Sequence, residues 1–513
     1  MANYLVGCDV GTSGTKAVVI DEEGNILGTH SIGYKLVTAR PGWAEQDPED
    51  YWNAVADTIQ ASIKQAGVDP KEIRGVGISA LAPACILVDK DLQPLQMGHI
   101  WMDRRGTKET AWVKEHIGEE RVRKLSGNPI DPYYAAIKMM WEKNNRPELY
   151  KKTYKLQTAA DYPVMKLTGK AVTDYSNASL IGIGYDIINK RWDEKTMDEI
   201  GLDIEKLPDS YACDEIIGEV TKEAAERTGL AAGTLVIAGT TDATAAWVAG
   251  GAIEDGDMSL AMGTAGCMGF VHNEPRFTPN MITIPHTVKS KTTYTTCVAI
   301  CACSSVMRYF KDTFGAEEVK EAEEKGLDVY QMLSDKAEKT PVGADGLITL
   351  PYFMGERTPI WDPLARANVF GMSLSHTKEH LLRSFMEGAV MALRHNYELV
   401  KASGCKMTPP LVLCEGGAKS PFWRQMVSDV IGVPTSYMKE AKGAPFGDAI
   451  SAGVGTGVFK DYQVAKDWAK VGASHTPNME NKAVYDKMFP LYLKLYEQLK
   501  GCYMDLADIT GYK

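Results

Sequence analysis

The chain has 513 residues, 44 % hydrophobic and 24 % charged, with a formal net charge of −11 at pH 7. That is too apolar for a disordered chain, and long enough for about two to four domains. No run of Lys and Arg offsets the acidic balance, so nucleic-acid backbones and anionic membranes are not expected as partners, while a nucleotide held as a small ligand stays open.

The start MANYLVGCDVGTSGTK has no basic leader, and its apolar run stops at Asp9. Strand, glycine turn and strand follow one another in YLVGCDV, GTSGT and KAVVID, and the turn DEEGN leads into a third strand, ILGTHSI. Tyr51, Trp52, Val55, Ile59 and Ile63 recur at helical spacing after Asp47-Pro48, which predicts a helix over residues 49–66. IRGVGISA predicts another strand, and ACILVDKDLQPL a hairpin turning at residues 89–92. Residues 235–253 are apolar but interrupted by Asp242, and residues 296–307 are too few to cross a bilayer.

DMSLAMGTAGCMGFV repeats the opening pattern about half a chain later. The echo of VGTSG in MGTAG predicts two related α/β domains, residues 1–250 and 251–513, joined near Gly250-Gly251 with a cleft between them. Helices expected over residues 378–400, 420–431 and 445–457 are assigned to the second domain's layers. The ten scattered cysteines form no CxxC pair and read as buried free thiols of a cytoplasmic protein. Cys297, Cys301 and Cys303 cluster without a His to complete a zinc set. His376 and His380 lack the Glu of a zincin helix and read as a solvated helix start.

GxxxxGK[ST] and a strand-to-helix GxGxxG are both missing. DVGTSGTK offers another way to hold phosphate. A turn of small residues, Gly11 among them, leaves backbone N–H groups free for phosphate oxygens; Thr12 and Ser13 add hydroxyl donors, Lys16 adds a cation, and Asp9 suits a hydrated Mg²⁺. An ordinary glycine hairpin fits the same residues, and Gly263-Thr264 in GTAG tips the balance toward two hairpins clamping one nucleotide. In LVLCEGGAKS, Gly416, Gly417 and Ala418 turn a strand into a helix, suiting either a flat ring against bare backbone or simply a tight turn. Asp242, the only acid in its apolar stretch, reads as either a helix N-cap or a group facing a functional cleft.

Together these segments resemble the FGGY family of carbohydrate kinases almost end to end, and most of all its xylulokinase branch. DVGTSGTKAVVIDEEG and GTAG resemble the family's two phosphate hairpins, and TTDATAA its catalytic segment. LPYFMGERTP, NVFGMSLSHTKEHLLRSFMEG and EGGAKSPFWRQMVSDVIG resemble blocks of its second domain. YYAAIKMMWEKNN resembles a family signature, with Ala135 and Glu142 as departures.

The resemblance implies two ribonuclease H-like, actin-like domains closing over MgATP and a sugar. It puts Thr12, Ser13, Lys16 and Thr264 at the ATP phosphates, Asp9 near Mg²⁺ and Gly417 at the adenosine. Asp242 becomes the base that takes the proton of the attacking hydroxyl. On the sugar side it implies Ala82, Pro83, Trp101, Asp103, Arg104, Tyr133 and Ala243. Ala82, Pro83 and Ala243 stand where xylulokinases carry polar sugar readers, so D-xylulose is expected to be a poor substrate beside another ketose, a deoxy-sugar or a short polyol. A non-catalytic, actin-like nucleotide sensor is the rival expectation. Oligomeric state is open, a homodimer included.

Overall fold

The computed structural model describes residues 2–511 and contains two mixed seven-stranded sheets. In the first, β1 (Tyr4–Val10) and β2 (Gly14–Ile20) form an antiparallel hairpin that β3 (Ile26–Gly33) extends, and β4 (Ile73–Ala80) runs parallel beside β1. β5 (Ile216–Glu219) closes the edge antiparallel to β6 (Leu235–Ile237), which lies parallel to β4; β7 (Thr240–Thr241) pairs with the far end of β4.

The second sheet repeats this plan. β8 (Met258–Met262) and β9 (Gly266–His272) form its hairpin, and β10 (Ile282–Pro285) lies at the edge outside β11 (Tyr294–Ile300), which pairs with β9. β12 (Leu411–Cys414) runs parallel to β8, β13 (Thr435–Met438) parallel to β12, and β14 (Val471–His475) closes antiparallel. From β3 inward and from β11 inward, the sequence of pairings is the same: two antiparallel, two parallel, one antiparallel. The duplication expected from the two glycine turns therefore holds through whole sheets.

Helix α1 (Pro48–Ala66) covers one face of the first sheet, with Tyr51, Val55 and Ile59 buried against it. Asp47 caps its N-terminus by accepting from Glu49 N–H (3.0 Å), and Gly67 at φ 67° ends it in the left-handed conformation. Helix α2 (Asp242–Ala249) leads from β7 toward the second half. Helix α3 (Lys378–Ala402) packs against β11, and its start holds the paired histidines, His380 accepting from Thr377 N–H through Nδ1 (3.2 Å).

Helix α4 (Ala444–Gly455) corrects one expectation. It does not join the second half's layers but packs on β1, β2 and β4, the uncovered face of the first sheet, and crosses α2. Glycines make the approach: a Cβ on Gly7 would lie 1.8 Å from Pro445 O, and one on Gly447 would lie 1.9 Å from Ala245 O. Both faces of β1 are thereby buried, which is why its residues Leu5, Val6, Cys8 and Val10 are all apolar and inaccessible.

All ten cysteines are free. Cys267, Cys297, Cys301 and Cys414 are only partly covered and Cys502 is exposed, against the expectation that all are buried. Among the described residues, no helix is long and apolar enough to cross a membrane.

Candidate active site

The first hairpin turn is held from outside. Gly11 N–H donates to Gly14 O (3.0 Å), Tyr34 donates through its hydroxyl to Gly11 O, and Gln46 Nε2 donates to Thr12 O (2.8 Å). Tyr34 N–H donates to Ser13 O (3.3 Å), and Trp101 Nε1 donates to Thr12 Oγ1 (3.0 Å). The turn's carbonyls are thus engaged, while the N–H groups of Thr12 and Ser13 meet no acceptor among the described residues. A turn with acceptors tied back and donors open is an anion cradle. Lys16 is exposed and lies directly across the ladder from Asp9.

The second hairpin repeats the device with other partners. Gly263 O accepts from Ser304 N–H (2.9 Å), and Thr264 O accepts from Cys303 N–H (3.0 Å) and Ser305 Oγ (2.9 Å). The N–H groups of Thr264 and Ala265 meet no acceptor among the described residues.

β12 is followed by Glu415, held at φ 70°, and then by Gly416 and Gly417. A Cβ on Gly417 would come within 2.5 Å of Ser304 Oγ and 3.1 Å of Met262 O, so only bare backbone fits there. Beside it opens a cavity of about 390 Å³ lined by Gly263, Thr264, Gly416, Gly417, Tyr330 and Trp423, among others. The buried Trp423 Nε1 has no partner among the described residues, which leaves a donor for a ligand. Ala418 does not join this lining: it is wholly buried, and its carbonyl accepts from Arg424 Nη1 (2.6 Å), so it supports the turn from beneath.

Asp9, Ser79 and Thr240 lie in one row across β1, β4 and β7. Asp242 follows two residues beyond Thr240 as the first residue of α2, and its Oδ1 accepts from Ala243 N–H (2.7 Å). Burial raises the Asp242 carboxyl above the ordinary aspartate range; burial and then the Asp242 charge raise Asp9. The charge of Asp242 also acts on the Cys267 thiol beside the second hairpin's turn, so the first half's carboxylate lies within electrostatic range of the second half. Sequence reasoning missed Asp448, the lone acid of α4. It is buried and accepts from Ser79 Oγ (2.7 Å), the hydroxyl that also stands 3.2 Å from Asp9 Oδ1.

None of the three carboxylates has an ion-pair partner among the described residues, nor does any cluster of three acidic, His or Cys groups there suffice for a metal alone. Asp9 is a half-buried carboxylate without a counter-cation beyond the Lys16 field, and one or two carboxylates are what Mg²⁺ takes beside water and phosphate. The donor set fits that ion.

The residues expected to read the sugar divide. Ala82, Tyr133 and Ala243 are partly exposed in one cluster, and Pro83 is buried behind Ala82. The Tyr133 hydroxyl donates to Ala82 O (2.8 Å). Arg104 is bound through both terminal nitrogens to Asp131, which also accepts from Tyr133 N–H (2.8 Å). Trp101 serves the first hairpin as described. Asp103 is not brought to the cleft: it is fully buried, with Oδ1 accepting from Arg105 Nε (2.9 Å) and Oδ2 from Arg105 Nη2 (2.6 Å) and Ala44 N–H (2.8 Å). The expectation that it reads a sugar hydroxyl is corrected, because all its acceptor directions are taken by protein donors.

Models for the N-terminal and C-terminal domains of the FGGY family of carbohydrate kinases match residues 4–249 and 258–456. A xylulose kinase of Bacillus subtilis is 28 % identical over 97 % of this chain and 97 % of its own length, and a gluconokinase of Bacillus licheniformis 30 % over 99 % and 98 %. The crystal structure of a gluconate kinase from Lactobacillus acidophilus superposes with a TM-score of 0.91 at 26 % identity, covering 99 % of this chain and all of that one.

Proposed function

Since the chain belongs to the FGGY family of carbohydrate kinases, we propose that it transfers the γ-phosphoryl group of MgATP to a hydroxyl of a ketose, with D-xylulose the reference substrate. We place the two functional halves at residues 1–250 and 251–513, with α4 returning to the first. The observation that carries this reading is the pair of donor-lined turns, one in each half, beside Asp242. Thr12 and Ser13 from one half and Thr264 from the other supply N–H groups for phosphate oxygens. Gly416, Gly417 and Trp423 give the adenosine a cavity. Asp242 orients the sugar hydroxyl and takes its proton; its raised pKa makes it a better base than an exposed aspartate. Asp9 is the residue that would hold Mg²⁺, which when bound neutralises phosphate charge.

The relatives named gluconokinases match as well as those named xylulose kinases, so an aldonate is the second substrate reading. A coupled assay of ADP release at saturating MgATP, over ketoses, aldonates and polyols, tests the proposal. ADP release that rises with one sugar class supports it. A nucleotide-binding protein whose ADP release ignores every sugar contradicts it and favours a sensor.

A further inference from the structure

The wall of the cleft next to Asp242 is apolar, and both halves build it. On α2, Ala243 and Trp247 stand four residues apart and therefore on one face. Trp247 fits against Gly269 of β9, where a Cβ would lie 2.5 Å from its ring. Cys267, two residues back on β9, points to the same face of the sheet as Gly269. Cys297 on β11 is the register partner of Gly269 and joins that face. Ala82 and Tyr133 complete the cluster from the first half, and Ala82, Tyr133, Ala243, Cys267 and Cys297 are all only partly buried.

This wall offers few polar groups. The Tyr133 hydroxyl already donates to Ala82 O (2.8 Å). Ala82 and Ala243 have no side-chain donor or acceptor, and a thiol is a weak one. Burial raises the Cys267 and Cys297 thiols, so both remain S–H rather than thiolate. The charged groups bordering the wall are Asp242, the mutually paired Arg104 and Asp131 beside Tyr133, and Arg357, whose charge acts on Tyr133 and Cys267.

Resting on the kinase reading above, we infer that Cys267 and Cys297 are specificity-determining residues and that the preferred substrate is a deoxy-sugar, whose hydroxyl-free carbon lies on this wall. A hydroxyl there would give up its water for a thiol and two methyl groups. The two cysteines come from the second half and the two alanines from the first, so the choice is made only when both halves surround the sugar.

The test is kcat/KM at saturating MgATP for sugars paired to differ by one hydroxyl: D-xylulose with its C1-deoxy analogue, L-fructose with L-rhamnulose, and L-tagatose with L-fuculose. At least one deoxy member should exceed its hydroxylated partner by about ten- to a hundredfold, the range an apolar pocket allows. In the Cys267→Ser/Cys297→Ser double variant, isosteric but hydrogen-bonding, that ratio should fall by about fivefold. If the double variant fails to fold, the wild-type ratios decide alone. Hydroxylated members equal to or better than their partners in every pair overturn the inference and leave the kinase reading intact. An unchanged ratio in a folded double variant removes the cysteines as determinants and also overturns it. No phosphorylation of any pair overturns both.

Discussion

At the phosphate end of the cleft, Thr12 and Thr264 sit in turns whose carbonyls are tied back by other parts of the protein, so that backbone N–H groups are left open. At the sugar end, Ala82, Ala243, Cys267 and Cys297 present side chains with little hydrogen-bonding capacity. In the proposed function the phosphate end recognises with its backbone, which needs small residues at fixed spacing and tolerates little else. The end proposed for the sugar would recognise with side chains, which can change without disturbing the fold. One end can thus be shared by kinases of many sugars while the other differs between them.

The largest effect expected belongs to Asp242, where the two ends meet. Asp242→Asn should leave MgATP binding in place and lower kcat by about 10²–10⁴-fold, the size usual for a positioned base. Turnover near that of the wild type would remove Asp242 from the chemistry. Because burial raises its pKa, kcat in the wild type should fall on the acid side at a higher pH than an ordinary aspartate near 3.8 would give. The base must be ionised to act, so activity is lost as pH drops through that raised value. An acid limb at or below the ordinary range would contradict the burial argument.

Asp103 sharpens the contrast from the other side, since it lies near the sugar end yet faces inward. Asp103→Ala leaves the buried Arg105 with Glu45 alone, and should cost about 3 kcal/mol of stability, measured by denaturant unfolding, with KM for sugar unchanged. Unaltered stability with a raised KM would restore Asp103 as a sugar reader. The smallest effect concerns closure. In the proposed reading each ligand is held by groups from both halves, so saturating both ligands should reduce the radius of gyration by about an ångström in small-angle scattering. Superimposable curves would mean that the halves are already closed.

The paired sheets and both hairpins were legible because backbone recognition leaves its mark as glycine and threonine at set positions. The placement of helix α4 was not, although the helix itself was expected, because its partner strands lie at the other end of the chain. Its signals were Gly7 and Gly447, which read as ordinary small residues until the helix is laid across them. Asp448 was hidden with it. The acid Asp103 was misread because sequence cannot say which member of Asp103, Arg104 and Arg105 faces the cleft; Arg105 folds back onto Asp103 and takes it out of reach. Cys267 was not singled out, and Cys297 was read only as one of a cysteine cluster, because register, not spacing, sets the two on one face. Glu142, a departure from the family pattern, is buried 3.0 Å from His99 Nε2, a compensation invisible in either segment alone.

The central claim is that two hairpins, one from each half, hold the phosphates of the same nucleotide. The direct measurement is KM for ATP and for sugar in Gly11→Val and Gly263→Val. Both clashes are local: the new Cβ comes within 3.1 Å of Gly14 O, which must give by a few tenths of an ångström, and in the other variant it displaces the flexible end of Glu415. Each variant should raise KM for ATP by about tenfold, several times more than KM for sugar, because a side chain then occupies the space a phosphate oxygen needs beside the backbone. A rise confined to one variant, or equal rises for ATP and sugar, would contradict the shared clamp.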